Sequence, residues 1–486
     1  MSQAQFLLFL IALIPLINCL VLKLCADSKR LVNILSKLLP LLFFLHLIGL
    51  YNSLHHNQVY IEFLEAKRGL SLGFAVNDVT LKFLFLLNFI WLSFVFYSHR
   101  FLRLEGDKNI NEFKLFFALI IALINLILIS QNLLTTLFFY NCLVMLCHFF
   151  AVKFLHKKDT KFSYLFTFLI YLESMFFFLA IVATYKFIGR IDFAVDGILP
   201  EKLNQTKYLT LLILYLSGLF LSIMAPSYLI HRQSNFNPLI IYALFFLAYA
   251  FSSLYIFVKI LVFIFGIGGF AAIILKVGFS YFEVIFLANL LISGVLLLFS
   301  KNLKSAFFYL FFHQFIFALF TIFIFALFDP SRVYLALFSF ILSMTLVFFC
   351  ISNLILYLER LEDKSSQGLF FDLKITSFLL VFALANLVGI APGIGVLEKI
   401  YLAKILLKKK LFLANLIFLS NLVTLLIFSL RLIYQLFSPS KTKRSPENIL
   451  WAKNIDFDSS LILSSLITAI AIVFLLILFP LITNFF

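Results

Sequence analysis

Apolar residues run for twenty or so positions, stop at a short basic or Gly/Pro-containing segment, and resume, from one end of the chain to the other. Polar positions are too sparse to mark the wet face of a surface helix. A helix needs about 20 apolar residues to cross a bilayer core, so this pattern predicts an all-α polytopic membrane protein. The runs place about fourteen transmembrane helices, near 5–22, 38–52, 79–98, 114–131, 133–152, 162–184, 207–230, 239–264, 280–300, 306–328, 331–357, 372–406, 411–437 and 459–483. The segments 53–78 and 438–458 are the main loops, and neither is long enough to fold as a domain.

Two interruptions organise these spans. Gly389-Ile390-Ala391-Pro392-Gly393-Ile394-Gly395 sits inside the twelfth, and Ile223-Met224-Ala225-Pro226 inside the seventh echoes its Ile-Ala-Pro core. Proline removes a helix donor and glycine weakens the helix, so both sites predict breaks that free backbone groups. Paired breaks in corresponding spans of two halves point to a repeat architecture with inverted topology. The chain therefore reads as one membrane domain, 1–486, with N-terminal helices over 1–110. Two inverted five-helix repeats follow, at 111–265 and 280–437, with broken helices at Pro226 and Pro392. A loop and the last helix fill 438–486.

Composition sharpens this picture. The chain is 64% hydrophobic and 12% charged, against roughly 45–50% and 25% for soluble domains. Its 68 phenylalanines fit AT-rich codon usage, as in an organelle-encoded or parasite-like genome. The net charge of +16 lies mainly in loops and needs no nucleic acid to explain it. Loops after odd-numbered spans carry the larger share, including Lys29, Arg30, Arg100, Arg103, Lys157, Lys158, Lys304, Lys441 and Arg444, which puts both termini on the opposite side. Loops after even-numbered spans keep the cluster Lys404, Lys408, Lys409 and Lys410. Cys19, Cys25, Cys142, Cys147 and Cys350 form no CxxC pair, and His55-His56 and Cys147-His148 lack metal-ligand spacing. Residues 1–22 have no basic leader or cleavage site and read as the first span. No nucleotide loop, nucleophile motif or haem signature is present, so no cofactor is expected.

Ionisable residues inside spans are costly and mark ion or proton pathways. Lys399 lies two turns past Pro392, beside Glu398, and the competing reading is a lysine that snorkels or simply pairs with that glutamate. His313 lies in the tenth span, and because an unperturbed histidine titrates near neutral pH it is a relay candidate, though a lone histidine in an apolar helix also serves as a hydrogen-bonded core residue. Glu173 sits mid-way along the sixth span between Tyr171 and Ser174. Lys304 begins the tenth span at the interface, and Lys259 nears the end of the eighth, within snorkelling reach. Arg431 and Tyr434 read as interfacial anchors. The candidate proton path is thus Lys399, His313, Glu173 and Lys304, and the candidate breaks are Pro226, Gly389, Pro392 and Gly395.

The segment Gly389-Ile390-Ala391-Pro392-Gly393-Ile394-Gly395-Val396-Leu397-Glu398-Lys399-Ile400-Tyr401-Leu402 resembles the pattern GIPPxxGFxxKFYL of chain 2 of NADH-ubiquinone oxidoreductase. Ser429-Leu430-Arg431-Leu432-Ile433-Tyr434 resembles its YLRxIY, Leu303-Lys304 through His313 its LKRLLAYSSIxHxG, and Met224-Ala225-Pro226 its MAPFHxW. The resemblance covers roughly residues 80 to 480 and is most specific in the C-terminal half. It implies an antiporter-like subunit of respiratory complex I in the mitochondrial inner membrane. Such a subunit carries protons on buried lysines, histidines and carboxylates, coupled remotely to quinone reduction. The implied partners are the other membrane-arm subunits and lipid, with no redox site in this chain. The family's seventh-span lysine falls on Leu221, its eighth-span lysine on about Ala250 beside Tyr249, and its fifth-span glutamate on Asn141 or Cys142. Only Lys399 and His313 match clearly, which predicts an altered or inactive first-half channel. The alternatives are chain 4, which carries Glu at the Lys399 position, and chain 5, which continues into a long lateral helix. Others are a stand-alone cation/proton antiporter subunit, a structural scaffold, and a lipid-linked sugar transferase or flippase.

Overall fold

The computed structural model describes residues 3–24, 28–54, 59–67, 70–106, 110–154, 160–194, 197–200, 204–230, 242–266, 279–361, 367–439 and 446–483. They are helical almost throughout, and all fourteen expected spans are occupied by helix. The chain divides into two compact units, Met1–Phe270 and Ala271–Phe486.

In the first unit lie α1 (Gln3–Leu24), α2 (Lys29–Leu54), α3 (Asp78–Glu105), α4 (Ile110–Ile129), α5 (Leu133–Phe154), α6 (Thr160–Ile188) and α7 (Gln205–Ile230). A composite helix α8 completes it, with π-wound ends at Tyr242–Phe251 and Ile260–Phe265 around an α-helical centre at Ser252–Lys259. The second unit holds α9 (Phe279–Leu298), α10 (Leu303–Phe328), α11 (Val333–Leu361), α12 (Lys374–Val388), α13 (Gly395–Lys408), α14 (Phe412–Phe437), α15 (Pro446–Asp456) and α16 (Ser459–Thr483).

Among the described residues ten helices are long and apolar enough to cross a bilayer alone, or eleven if the bent pair Gln5–Ile11 and Leu13–Leu24 forms one span. That is fewer than the fourteen expected, for physical reasons. The apolar part of α9, Phe282–Leu298, falls just short, the twelfth span is split between α12 and α13, and side chains of α7 beyond residue 218 lie outside the described set. Burial grades the helices by neighbour. The spans of α10 and α11 are 94% enclosed by protein, whereas those of α14 and α16 are 33% enclosed and leave apolar faces such as Leu419, Val423 and Ile470 open to lipid.

The segment read as a loop at 53–78 is instead largely an antiparallel hairpin, β1 (Val59–Lys67) on β2 (Leu70–Val76). Leu70-Ser71-Leu72-Gly73-Phe74 alternates with the period of a strand, and the run is too short to cross a membrane. The α4–α5 junction holds the hairpin. Gln131 donates its N–H to Gly73 O at 2.9 Å, and Asn132 Nδ2 donates to Ser71 O at 2.6 Å.

The other long loop contains α15, which has a structural task. Asp456 accepts from Ile375 N, Thr376 N and Thr376 Oγ1, each at 2.9 Å, and so satisfies the orphan amides that start α12. A helix whose far end is broken is thereby anchored at its near end.

Candidate functional site

The break predicted within the twelfth span separates α12 from α13 around a cis Ala391–Pro392 bond. Asn386 organises it: Gly395 N–H donates to Asn386 Oδ1 at 2.8 Å, while Asn386 Nδ2 donates to Ser343 on α11. The turn permits no side chain where the halves meet. Gly389 has φ +95°, a left-handed conformation suited to glycine, and a Cβ there would lie 2.7 Å from Lys399 Cγ. The stem of Lys399 therefore folds back over bare backbone at the end of α12.

Lys399 is buried, and its Nζ meets Glu398 Oε2 at 3.1 Å. The ammonium also lies 4.5 Å from the centre of the Phe317 ring on α10, within cation–π range. Glu398 and Lys399 leave a helix about 100° apart, yet their flexible stems converge on one ion pair. One turn before Phe317 on the same face of α10, roughly 6 Å away by helix rise, stands His313. It is fully buried, with Nδ1 hydrogen-bonded to Ser293 Oγ of α9 at 3.0 Å. Among the described residues its Nε2 has no hydrogen-bond partner, and neither has Nδ2 of buried Asn421. Gln314 Nε2 donates to Asn421 Oδ1 at 3.0 Å, so α14 reaches the same layer. Lys399 and His313 thus line one side of α10 with Phe317 between them.

Lys304 is not among them. It sits at the start of α10, partly exposed, and pairs with Glu359 at 2.6 Å. Arg431 closes the end of α9, its guanidinium donating to Leu298 O and, at 2.8 Å, to Ser300 O. Glu283 on α9 is buried and accepts Ala414 N–H at 3.1 Å, capping α14 from a neighbouring helix. Its only trace in the sequence is a single acid within an apolar run.

In the first unit, α7 is described through Pro226 as far as Ile230. The side chains of Leu221 and Pro226, and the stretch 231–241, lie outside the described residues. Glu173 on α6 is fully buried and accepts from Tyr140 OH at 2.7 Å. Next to it, Ser174 Oγ hydrogen-bonds Asn141 Oδ1. Glu173 therefore faces the part of α5 where the resemblance would have put a carboxylate. Tyr249 of α8 neighbours this group and Cys147, so a tyrosine cluster surrounds the acid, a feature that spacing along the sequence does not reveal.

Lys259 does not snorkel. It is buried on α8, and its Nζ donates to Leu128 O at 3.2 Å, to Ser130 O, and to Ser130 Oγ at 3.1 Å. The Phe193 ring lies 4.6 Å from the ammonium, and Tyr255 OH shares the Leu128 carbonyl. Three donors meet three acceptors at the C-terminus of α4, where the helix dipole favours a cation. Lys259→Met is expected to lower stability by about 2–3 kcal/mol, because it strips charge-assisted partners from buried carbonyls. Thermal unfolding in detergent measures this, and an unchanged midpoint would rule out the clamp.

No family model and no curated protein matches the chain. Solved structures do. A chain of the Mrp complex from Dietzia sp. DQ12-45-1b superposes with TM-score 0.75 at 15% identity, over 99% of this chain and 96% of that one. The two chains share one fold. A chain of the membrane-bound sulfane sulfur reductase, an archaeal respiratory membrane complex, gives TM-score 0.75 at 17% identity, over 95% of this chain and 74% of that one. Respiratory complex I from Thermus thermophilus contributes a chain at TM-score 0.70 and 14% identity, over 98% of each. At these identities the likeness concerns the fold, and the chemistry rests on the residues described above.

Proposed function

We propose that this protein is an antiporter-like membrane-arm subunit of respiratory complex I, most similar to chain 2, which carries protons through its second unit. The observation that carries the reading is the buried Lys399–Glu398 pair on a broken helix, set against Phe317, which stands one turn of α10 from His313. An ion pair in a low-dielectric interior holds or releases a proton according to the charge beside it. Histidine can take up a proton on one ring nitrogen and release it from the other, which suits a relay. The whole-chain fold match to a complex I chain supports the assignment. The Phe-rich, AT-type composition favours an organelle-encoded subunit of the mitochondrial inner membrane.

The first unit is altered in this reading. Leu221 and Ala250 carry no proton, and the Lys259 side chain is held in place by three oxygens. Glu173 remains as a buried carboxyl, tuned by Tyr140. A stand-alone cation/proton antiporter subunit is the second reading, favoured by the match to the Mrp complex chain.

Affinity purification of the tagged chain from its native membrane separates the two. NADH-oxidising subunits should co-purify with it, together with NADH:quinone activity. Recovery without them, with a cation-dependent pH change in reconstituted vesicles, would instead establish the antiporter reading.

A further inference from the structure

At one end of the first unit, the beginnings of α2 and α4 and the end of α3 gather basic groups. Lys114 on α4 is only 5% exposed, and its Nζ reaches a single neutral partner, Ser36 Oγ, at 3.4 Å. Lys37, next along α2, lies beside Lys114 with its ammonium 5.0 Å from the Phe96 ring centre. His99 faces Lys37, Lys114, Arg100 and Arg103, and its Nδ1 is buried without a hydrogen-bond partner. No carboxylate among the described residues pairs with Lys37 or Lys114. The acid of α4's first turn, Glu112, is engaged by Lys153 at 2.9 Å.

Like charges gathered this closely, one of them out of water, repel one another and lose hydration. A phosphoryl anion would offset both and supply acceptors for the ammonium groups. The cluster lies where the ends of three antiparallel spans meet the bilayer surface, on the side with the richer basic loops. Inward from Lys37, α2 leaves Leu38, Leu41 and Leu45 between 43% and 57% exposed, a greasy track for an acyl chain.

We propose that Lys37, Lys114, His99 and Arg103 form a binding site for the headgroup phosphate of an anionic phospholipid, whose acyl chains run along α2. Neither the proton path nor the complex I assignment is needed for this site, so it can fail or succeed independently of them.

Native mass spectrometry of the delipidated full-length chain in detergent, titrated with dioleoyl phosphatidylglycerol, tests the proposal. Wild type should retain this lipid in preference to phosphatidylcholine. Lys37→Gln, Lys114→Met and Arg103→Gln should each weaken retention about fivefold, as expected for one basic group at a charged membrane surface. If Lys114→Met fails to fold, the accessible pair Lys37→Gln and Arg103→Gln carries the test. Equal retention of phosphatidylcholine, or unchanged affinity in the variants, would overturn the site. Displacement of the lipid by millimolar inorganic phosphate would assign it to a free anion and overturn the lipid occupant.

Discussion

Lys399→Met is expected to destabilise the protein by about 3–5 kcal/mol and to lower proton transport through the second unit by a factor of ten or more. The two effects have different origins and can be pulled apart. Removing the ammonium leaves Glu398 as a buried carboxylate whose ion-pair partner has gone, since the pair sits at 3.1 Å with both side chains almost fully enclosed. The folded state then either bears an uncompensated charge or takes up a proton. Glu398→Gln/Lys399→Met removes both charges and should recover most of the lost stability, because a neutral pair no longer needs mutual solvation. It should not recover transport, which in this reading depends on the Lys399 amino group. Chemical unfolding gives the first quantity. The proton-to-electron ratio of the reconstituted complex gives the second. If Lys399→Met left that ratio intact, the second unit would not be a proton path.

Gly395→Ala is expected to be nearly as damaging, at about 3 kcal/mol, without altering any titratable group. A Cβ at this position would stand 2.0 Å from the Asn386 carbonyl oxygen, and backbone cannot swing aside as a side chain can. The halves α12 and α13 must separate, which pulls Gly395 N–H from Asn386 Oδ1 and loosens the tie from Asn386 to Ser343. Because Lys399 folds back over Gly389, its ammonium should shift away from Phe317 as well. The expected signature is loss of both stability and transport, with no rescue from changes at Glu398. A thermal midpoint equal to wild type would show that the break is looser than its geometry implies.

Part of the site was legible in the chain. Gly389 through Gly395 broke the twelfth span as proline and glycine should, and an acid–base pair beside a break in an apolar run could only be buried or snorkelling. His313 was legible for the same reason. Lys304 was visible as a helix-end lysine, and only the structure supplied Glu359 as its partner. Pro226 sounded the same alarm as Pro392, and α7 is described through it to Ile230, while the stretch that follows lies outside the described residues. Lys259 looked able to reach water. Enclosure of α8 by its neighbours removed that route and gave it the carbonyls of Leu128 and Ser130 instead. Contacts of that kind join residues more than a hundred positions apart, which no local pattern records.

The hairpin marks the same boundary. Alternation over Leu70 to Phe74 was present to be read, but a short alternating run among long apolar ones carries little weight until Gln131 and Asn132 are seen to hold it. Hydrophobic run length by itself determined an all-helical membrane protein and the order of its spans, since a bilayer admits few other ways to satisfy a backbone. Only the tertiary structure decided which buried charges are clamped and which are paired. Those outcomes depend on the side chains that neighbouring helices bring within about 3 Å, the distance over which a hydrogen bond is made.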